Sequence, residues 1–177
     1  VTYPGLTEDL DVGDTILLNN GLLSFKIIEI TAPNIVCKVI SGGELRNRKS
    51  MSFPGKVLKQ KFLSEQDKAD ILFGAKNDVD YIACSFVSLR QDLVDVREFL
   101  KENDISGIEL IAKIENQPGI DNIEEICNEC EGIMIGRGDM GVEIPFEQLP
   151  AVQKQLITKC RLLGKRVITA TEMLESM

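Results

Sequence analysis

The stretch IAKIENQPG at 111–119, continuing through DNIEEICNEC at 121–130 to GIMIGRGDMG at 132–141, decides how this chain is read. Residues 111–115 have the composition of a strand, and side chains two apart on a strand share a face, so Lys113 and Glu115 point the same way. Ile120, Ile123, Ile126, Cys127 and Cys130 recur at helical spacing, which predicts an amphipathic helix over about 119–130. Residues 133–135 form a second apolar strand, and Asp139 follows just past its end. If the two strands are parallel neighbours, Glu115 and Asp139 meet at one carboxyl edge, where two carboxylates make a hard-oxygen site suited to Mg²⁺. A lysine beside them would stabilise an anion that develops during a reaction. The plainer reading of the same residues is a buried Lys–Glu ion pair and a solvated loop aspartate.

Working outward, helices and apolar strands alternate from Ser64 onward. Ser64-Glu65-Gln66-Asp67 opens a helix that runs to about Lys76. A strand is expected over 79–87, then a helix capped by Asp92 with Leu93, Val96, Phe99 and Leu100 on one face. Beyond the strands at 108–115 and 132–136 comes a long helix from Phe146 to about Leu163, stopped by Gly164, and a last strand at 166–171. Such strands suit a parallel sheet covered by helices, either a (β/α)₈ barrel or a doubly wound sheet. In a barrel, functional residues gather at the carboxyl ends of the strands. Those ends carry Ser85, Lys113 with Glu115, Asp139 and Thr171. Core packing gives no reason for polar residues at all of these positions.

Residues 1–53 read differently, as short strands at 15–19, 22–30 and 34–40. Asn19-Asn20-Gly21 is a hairpin signal, and Pro33-Asn34 and Gly42-Gly43 mark further turns. This is a small antiparallel β unit that looks incomplete, because Val1 enters with no preceding element to pair. Pro54-Gly55 punctuates the chain and divides it into 1–53 and 54–177. The basic run Arg46-Asn47-Arg48-Lys49 is either a solvated loop or a means of reaching phosphates by charge.

Composition narrows the function. The chain has 177 residues, 28 acids against 20 bases and a net charge of −8, with no basic stripe for a nucleic acid. No apolar run approaches the roughly 20 residues that cross a bilayer, and the opening VTYPGLTEDLD is no secretory signal, so a cytoplasmic location is expected. There is no histidine, which removes Ser–His–Asp and Cys–His mechanisms. Cys127 and Cys130 lie on an apolar helix face, so all five cysteines are read as reduced, mostly buried thiols rather than zinc ligands.

IAKIENQPG, GIMIGRGDMGVEIP and VITATEMLESM, in this order and spacing, resemble the pyruvate kinase family. GDTILLNNG and GGELRNRKSMSFPG are similar to the β lid inserted into that family's barrel, so the resemblance covers nearly the whole chain. It implies an α/β fold: part of a TIM (β/α)₈ barrel at 54–177 with part of an inserted small β-barrel lid domain at 1–53. It implies phosphoryl transfer between phosphoenolpyruvate and ADP, giving pyruvate and ATP, in a parent enzyme expected to be a homotetramer. Lys113 would stabilise the enolate of pyruvate, and Glu115 and Asp139 would hold Mg²⁺ or Mn²⁺. The backbone N–H groups of Gly138 and Asp139 would hold the substrate's carboxylate or phosphate, Thr171 would sit near the methylene carbon that is protonated, and Ser85 would line the same mouth. Lys49 would approach the nucleotide phosphates. The family also uses K⁺, whose ligands fall outside this chain.

The sequence departs from the family pattern at Asn19-Asn20-Gly21, where Asp-Asp-Gly is usual, at Ser50-Met51-Ser52 for Gly-Val-Asn, at Pro118 for a polar residue, and at Glu172 for Gln. The resemblance begins inside the lid and stops after the seventh barrel strand, so the isolated chain is expected to be inactive. Alternatives are a barrel lyase or aldolase using the same metal–enolate logic, and a non-catalytic fragment that self-associates.

Overall fold

The computed structural model describes residues 1 and 3–171; Glu172 and the end of the VITATEMLESM motif lie outside the described residues. A short helix α1 (Leu6–Asp9) precedes strands β1 (Thr15–Leu18), β2 (Leu23–Thr31), β3 (Asn34–Ser41) and β4 (Met51–Ser52). These form an antiparallel sheet in the order β3-β2-β1-β4. The Asn19-Asn20-Gly21 turn forms where expected, with φ of 52°, 55° and 79°, the left-handed region that Asn and Gly tolerate. Leu6, Leu10, Ile16 and Ile27 make this unit's core, with Phe53 and Leu58 against it.

The chain continues as α2 (Glu65–Lys76), β5 (Tyr81–Cys84), α3 (Arg90–Glu102), β6 (Glu109–Ile114), α4 (Gln117–Asp121), α5 (Ile123–Cys127) and β7 (Gly132–Gly136). Then come α6 (Arg137–Glu143), a 3₁₀ turn (Phe146–Gln148), α7 (Leu149–Leu162) and β8 (Arg166–Ala170). The four strands pair in parallel in strict chain order, β5-β6-β7-β8. A doubly wound sheet reverses its strand order at a switch point; stepwise addition in one direction is how a barrel is built. No switch point falls within these four strands, and their order is that of part of a (β/α)₈ barrel, beside a small β unit.

The helices cover one face of this sheet. Leu93 and Val96 of α3, Ile123 and Ile126 of α5, and Leu156 and Cys160 of α7 are buried with Leu110, Ile114, Ile133 and Ile135 of the central strands. The other face is more open at the flanking strands, where Tyr81 and Ile168 are exposed. At the amino ends of the strands, Arg166 donates to Glu109 and to the Tyr81 hydroxyl and stands 5.7 Å from the Tyr81 ring centre.

Several elements differ from the sequence reading. The strand expected at 79–87 is confined to Tyr81–Cys84, because Asp78 and Phe86 both turn to φ of 55°. The helix expected over 119–130 breaks at Asn122 into α4 and α5, and Asn122 instead donates its amide to the Ser88 carbonyl at 3.0 Å. Asp92 is not the residue preceding its helix. It sits inside the first turn of α3 and reaches back to accept from the N–H groups of Ser88 and Leu89, at 2.8 and 2.9 Å. Gly164 does follow α7 with φ of 70°, as its stop. Among the described residues, no helix is long and apolar enough to cross a membrane.

Candidate functional site

The parallel register aligns Cys84 with Ala112, Ile114 with Ile135, and Gly136 with Ala170, so the strands end nearly flush. The residues just past those ends therefore share one edge. There the Lys113 ammonium donates to Ser85 Oγ at 2.8 Å and pairs with Glu115 Oε1 at 3.0 Å. The other carboxylate oxygen of Glu115 accepts from the Phe86 N–H at 2.9 Å. Only 2% of the Glu115 side chain is exposed, against 24% for Lys113. A carboxylate buried this deeply is tolerated only when paired and hydrogen-bonded, and Glu115 is both.

The turn after β5 is what satisfies it. Phe86 adopts φ of 55°, which no hydrophobic side chain prefers, and in that conformation its N–H faces Glu115. The next amide, Val87 N–H, donates to the Lys113 carbonyl at 3.2 Å, so the turn is clamped to the end of β6. Asn116 extends the clamp: its amide donates to Ser88 Oγ, and its Oδ1 accepts from Gly119 N–H, each at 2.8 Å. A side chain at Gly119 would put a Cβ 2.5 Å from the Val87 carbonyl, so only glycine lets α4 approach this turn. The sequence reading missed Phe86, Ser88 and Asn116. Asn116 carried a legible signal, an Asn two residues before Pro118, at the cap position of a helix with proline in its first turn. The roles of Phe86 and Ser88 depend on backbone groups brought in from another strand end and leave no such pattern.

Gly136, the last residue of β7, lies directly against Glu115: an added Cβ would fall 2.6 Å from Glu115 Cγ and Oε1. Asp139 follows in the first turn of α6. Gly138 lies near Thr171, whose Cγ2 is 3.7 Å from where a Gly138 Cβ would be. Thr171 has φ of 67° and donates its hydroxyl to the adjacent Ala170 carbonyl. The structure thus joins Ser85, Lys113 and Glu115 by direct bonds and sets Gly138, Asp139 and Thr171 along the same edge. Among the described residues no side-chain hydrogen bond ties Asp139 or Thr171 to the Lys113–Glu115 pair. Lys49 is exposed on the loop before β4 and makes no contact with that pair.

A cleft of about 350 Å³ runs from the small β unit to this edge, lined among others by Met51, Lys56, Ser85, Phe86, Asn116 and Glu143. Burial pushes the Glu143 carboxyl up from its ordinary value. For a divalent cation, the chemistry of the donor set fits: each Glu115 oxygen accepts one bond and keeps a lone pair, and Asp139 supplies a second carboxylate. No group of three or more His, Cys, Asp or Glu side chains suited to a metal occurs among the described residues. A cation here would therefore rely on substrate or water oxygens as well.

Comparison with known proteins identifies the family. The family model described as pyruvate kinase, barrel domain, matches residues 1–177. Over the whole chain, pyruvate kinase from Geobacillus stearothermophilus is 48% identical and that from Staphylococcus haemolyticus 50%, with 30% of each relative covered. The Clostridium perfringens pyruvate kinase is 44% identical, with 37% of it covered. The crystal structure of a pyruvate kinase from Cryptosporidium parvum superposes with a TM-score of 0.92 at 41% identity, over 99% of this chain and 37% of that one. The chain spans about a third of the length of these relatives, and it belongs to the pyruvate kinase family.

Proposed function

We propose that this chain supplies the central part of a pyruvate kinase's catalytic edge, moving a phosphoryl group between phosphoenolpyruvate and ADP to give pyruvate and ATP. The observation that carries the reading is the Lys113 ammonium, fixed between Ser85 Oγ and Glu115 at the carboxyl end of β6. Removing the phosphoryl group from phosphoenolpyruvate leaves negative charge on an enolate oxygen. A lysine about 4 Å from that oxygen contributes about 4 kcal/mol of attraction at an effective dielectric of 20. Glu115 neutralises Lys113 in the resting state and holds it in place, so little reorganisation is needed when the charge appears.

Glu115 and Asp139 would hold Mg²⁺ or Mn²⁺, which when bound withdraws charge from the phosphoryl group. The backbone N–H groups of Gly138 and Asp139 would take the substrate's carboxylate or phosphate. Thr171 would stand by the methylene carbon that gains a proton, and Ser85 would line the mouth while orienting Lys113. Lys49, on its exposed loop, would reach the nucleotide phosphates by charge. The whole protein is read as a cytoplasmic homotetramer that also uses K⁺, with residues 1–53 as the lid and 54–177 in the barrel.

The test is Glu115→Gln in a full-length pyruvate kinase whose corresponding segment is replaced by this one. Mn²⁺ affinity and phosphoryl transfer should fall together. Unchanged Mn²⁺ affinity in the variant contradicts the metal assignment.

A further inference from the structure

Away from the strand-end edge, three thiols meet in the core where α5 and α7 cover the parallel sheet. Cys127, Cys130 and Cys160 are all buried, and the sulfur atoms of Cys127 and Cys160 lie 3.6 Å apart. Cys127 and Cys160 are hydrogen-bond partners through their sulfurs, and either thiol can donate; Cys130 lies in the same buried cluster. Its hydrogen bond to Cys127, with burial, pushes the Cys130 thiol far above its ordinary range. Against a lowering by Cys130, the neighbouring Cys160 and burial push the Cys127 thiol up to about 12. The hydrogen-bonding contact with Cys127 lowers the Cys160 thiol. Two ammonium groups lie nearby: Lys165, 2.7 Å from the Cys130 carbonyl, and Lys159, which pairs with Glu124 at 2.9 Å. Cys160, whose thiol is the lowered one, therefore has Cys127 as its immediate neighbour at 3.6 Å.

We propose that Cys127 and Cys160 are an oxidative cross-linking pair, joined into a disulfide by a hydroperoxide. The Cys160 thiolate attacks one peroxide oxygen, the O–O bond breaks, and the departing hydroxide takes up a proton as water. The Cys127 sulfur then attacks the Cys160 sulfenic acid; the S–S bond forms, the S–O bond breaks, and the second hydroxide leaves as water with the Cys127 proton. Two thiols and one hydrogen peroxide give one disulfide and two waters. The two sulfurs lose two electrons together and the peroxide gains them. A disulfide needs its sulfurs at about 2.05 Å, so side-chain rotation and a small approach of α5 to α7 close the gap. Helix α5 is only 5 residues long, and its local opening admits the peroxide to thiols that the closed form buries. The cross-link would clamp α5 to α7 across the outer layer of the parallel sheet, without touching Lys113, Glu115 or Asp139.

The experiment uses the chain as it stands. It is treated with excess hydrogen peroxide at neutral pH, its remaining thiols are alkylated after unfolding, and peptides are mapped without reduction. Half-buried Cys37 serves as the internal control that oxidant was delivered. The expected result is an intramolecular link between Cys127 and Cys160, read as a peptide pair two hydrogens lighter than the two free peptides, with Cys130 recovered alkylated. Cys130→Ser should keep the link, and Cys160→Ser should abolish it. Oxidised Cys37 beside fully alkylated Cys127 and Cys160 overturns the proposal, and so does a link that closes on Cys130 instead.

Discussion

At the scale of single residues, the account rests on how tightly Glu115 is held. Gly136 leaves no room for a side chain, since its Cβ would fall 2.6 Å from both Glu115 Cγ and Oε1. Gly136→Ala should therefore displace the carboxylate and cost about 1–3 kcal/mol, as overpacking of a filled core does. Gly138→Ala has 3.7 Å to its nearest neighbour among the described residues and lies in α6, so it should be neutral or slightly stabilising. Urea unfolding of the two variants checks the contrast; equal losses would mean that Glu115 is free to move. The shared face of Lys113 and Glu115 was legible from the two-residue repeat of a strand alone. The Phe86 N–H that takes up the second oxygen was not, because it comes from a turn 29 positions away whose conformation no local pattern announces.

At the scale of elements, the start of α4 is a joint between neighbouring βα units. Asn116 caps it through Gly119 N–H and reaches Ser88 at the same time. Asn116→Ala should cost about 1 kcal/mol for the cap alone, the usual penalty for losing such a residue. Hydrogen exchange should report faster opening of α4 and of the turn at 85–88 together; acceleration of α4 alone would show that the joint does not couple them. Acid should loosen the small β unit. The Tyr3 hydroxyl, 2.6 Å away, holds the Asp9 carboxyl below its ordinary value, and the same bond pushes Tyr3 up to about 12. A folded-state value lower than the unfolded one gives stability that is complete above about pH 4 and is lost as pH falls through the folded value. Asp9→Asn should flatten that acid limb in a denaturation series, and an unchanged slope would remove Asp9 from the account. Element type and order were readable from periodicity, but boundaries were not. The break at Asn122 follows from its amide bonding to Ser88 on another unit, a tertiary contact that overrides a good helical pattern.

At the scale of the whole molecule, the β5-β6-β7-β8 sheet has an unpaired edge at each end among the described residues, and Tyr81 and Ile168 are exposed on its flanking strands. Such edges invite further pairing, so the isolated chain should elute from size exclusion at a concentration-dependent position. It should also fail to turn over phosphoenolpyruvate and ADP in a coupled assay, because four strands do not enclose a substrate. A concentration-independent monomer with turnover would show that this segment is self-sufficient. Apolar strands alternating with helices suit a doubly wound sheet equally well; the barrel rests on a strand order without a switch point and on the match to the pyruvate kinase barrel domain. The central claim is that Lys113 serves charge appearing in the transition state rather than merely pairing with Glu115. The measurement that tests it most directly is Lys113→Met in a full-length pyruvate kinase carrying this segment, with turnover and Mn²⁺ binding read on the same preparation. Turnover should fall by at least about 10²–10³-fold while Mn²⁺ affinity stays largely intact; near-normal turnover would reduce the lysine to a structural partner of Glu115.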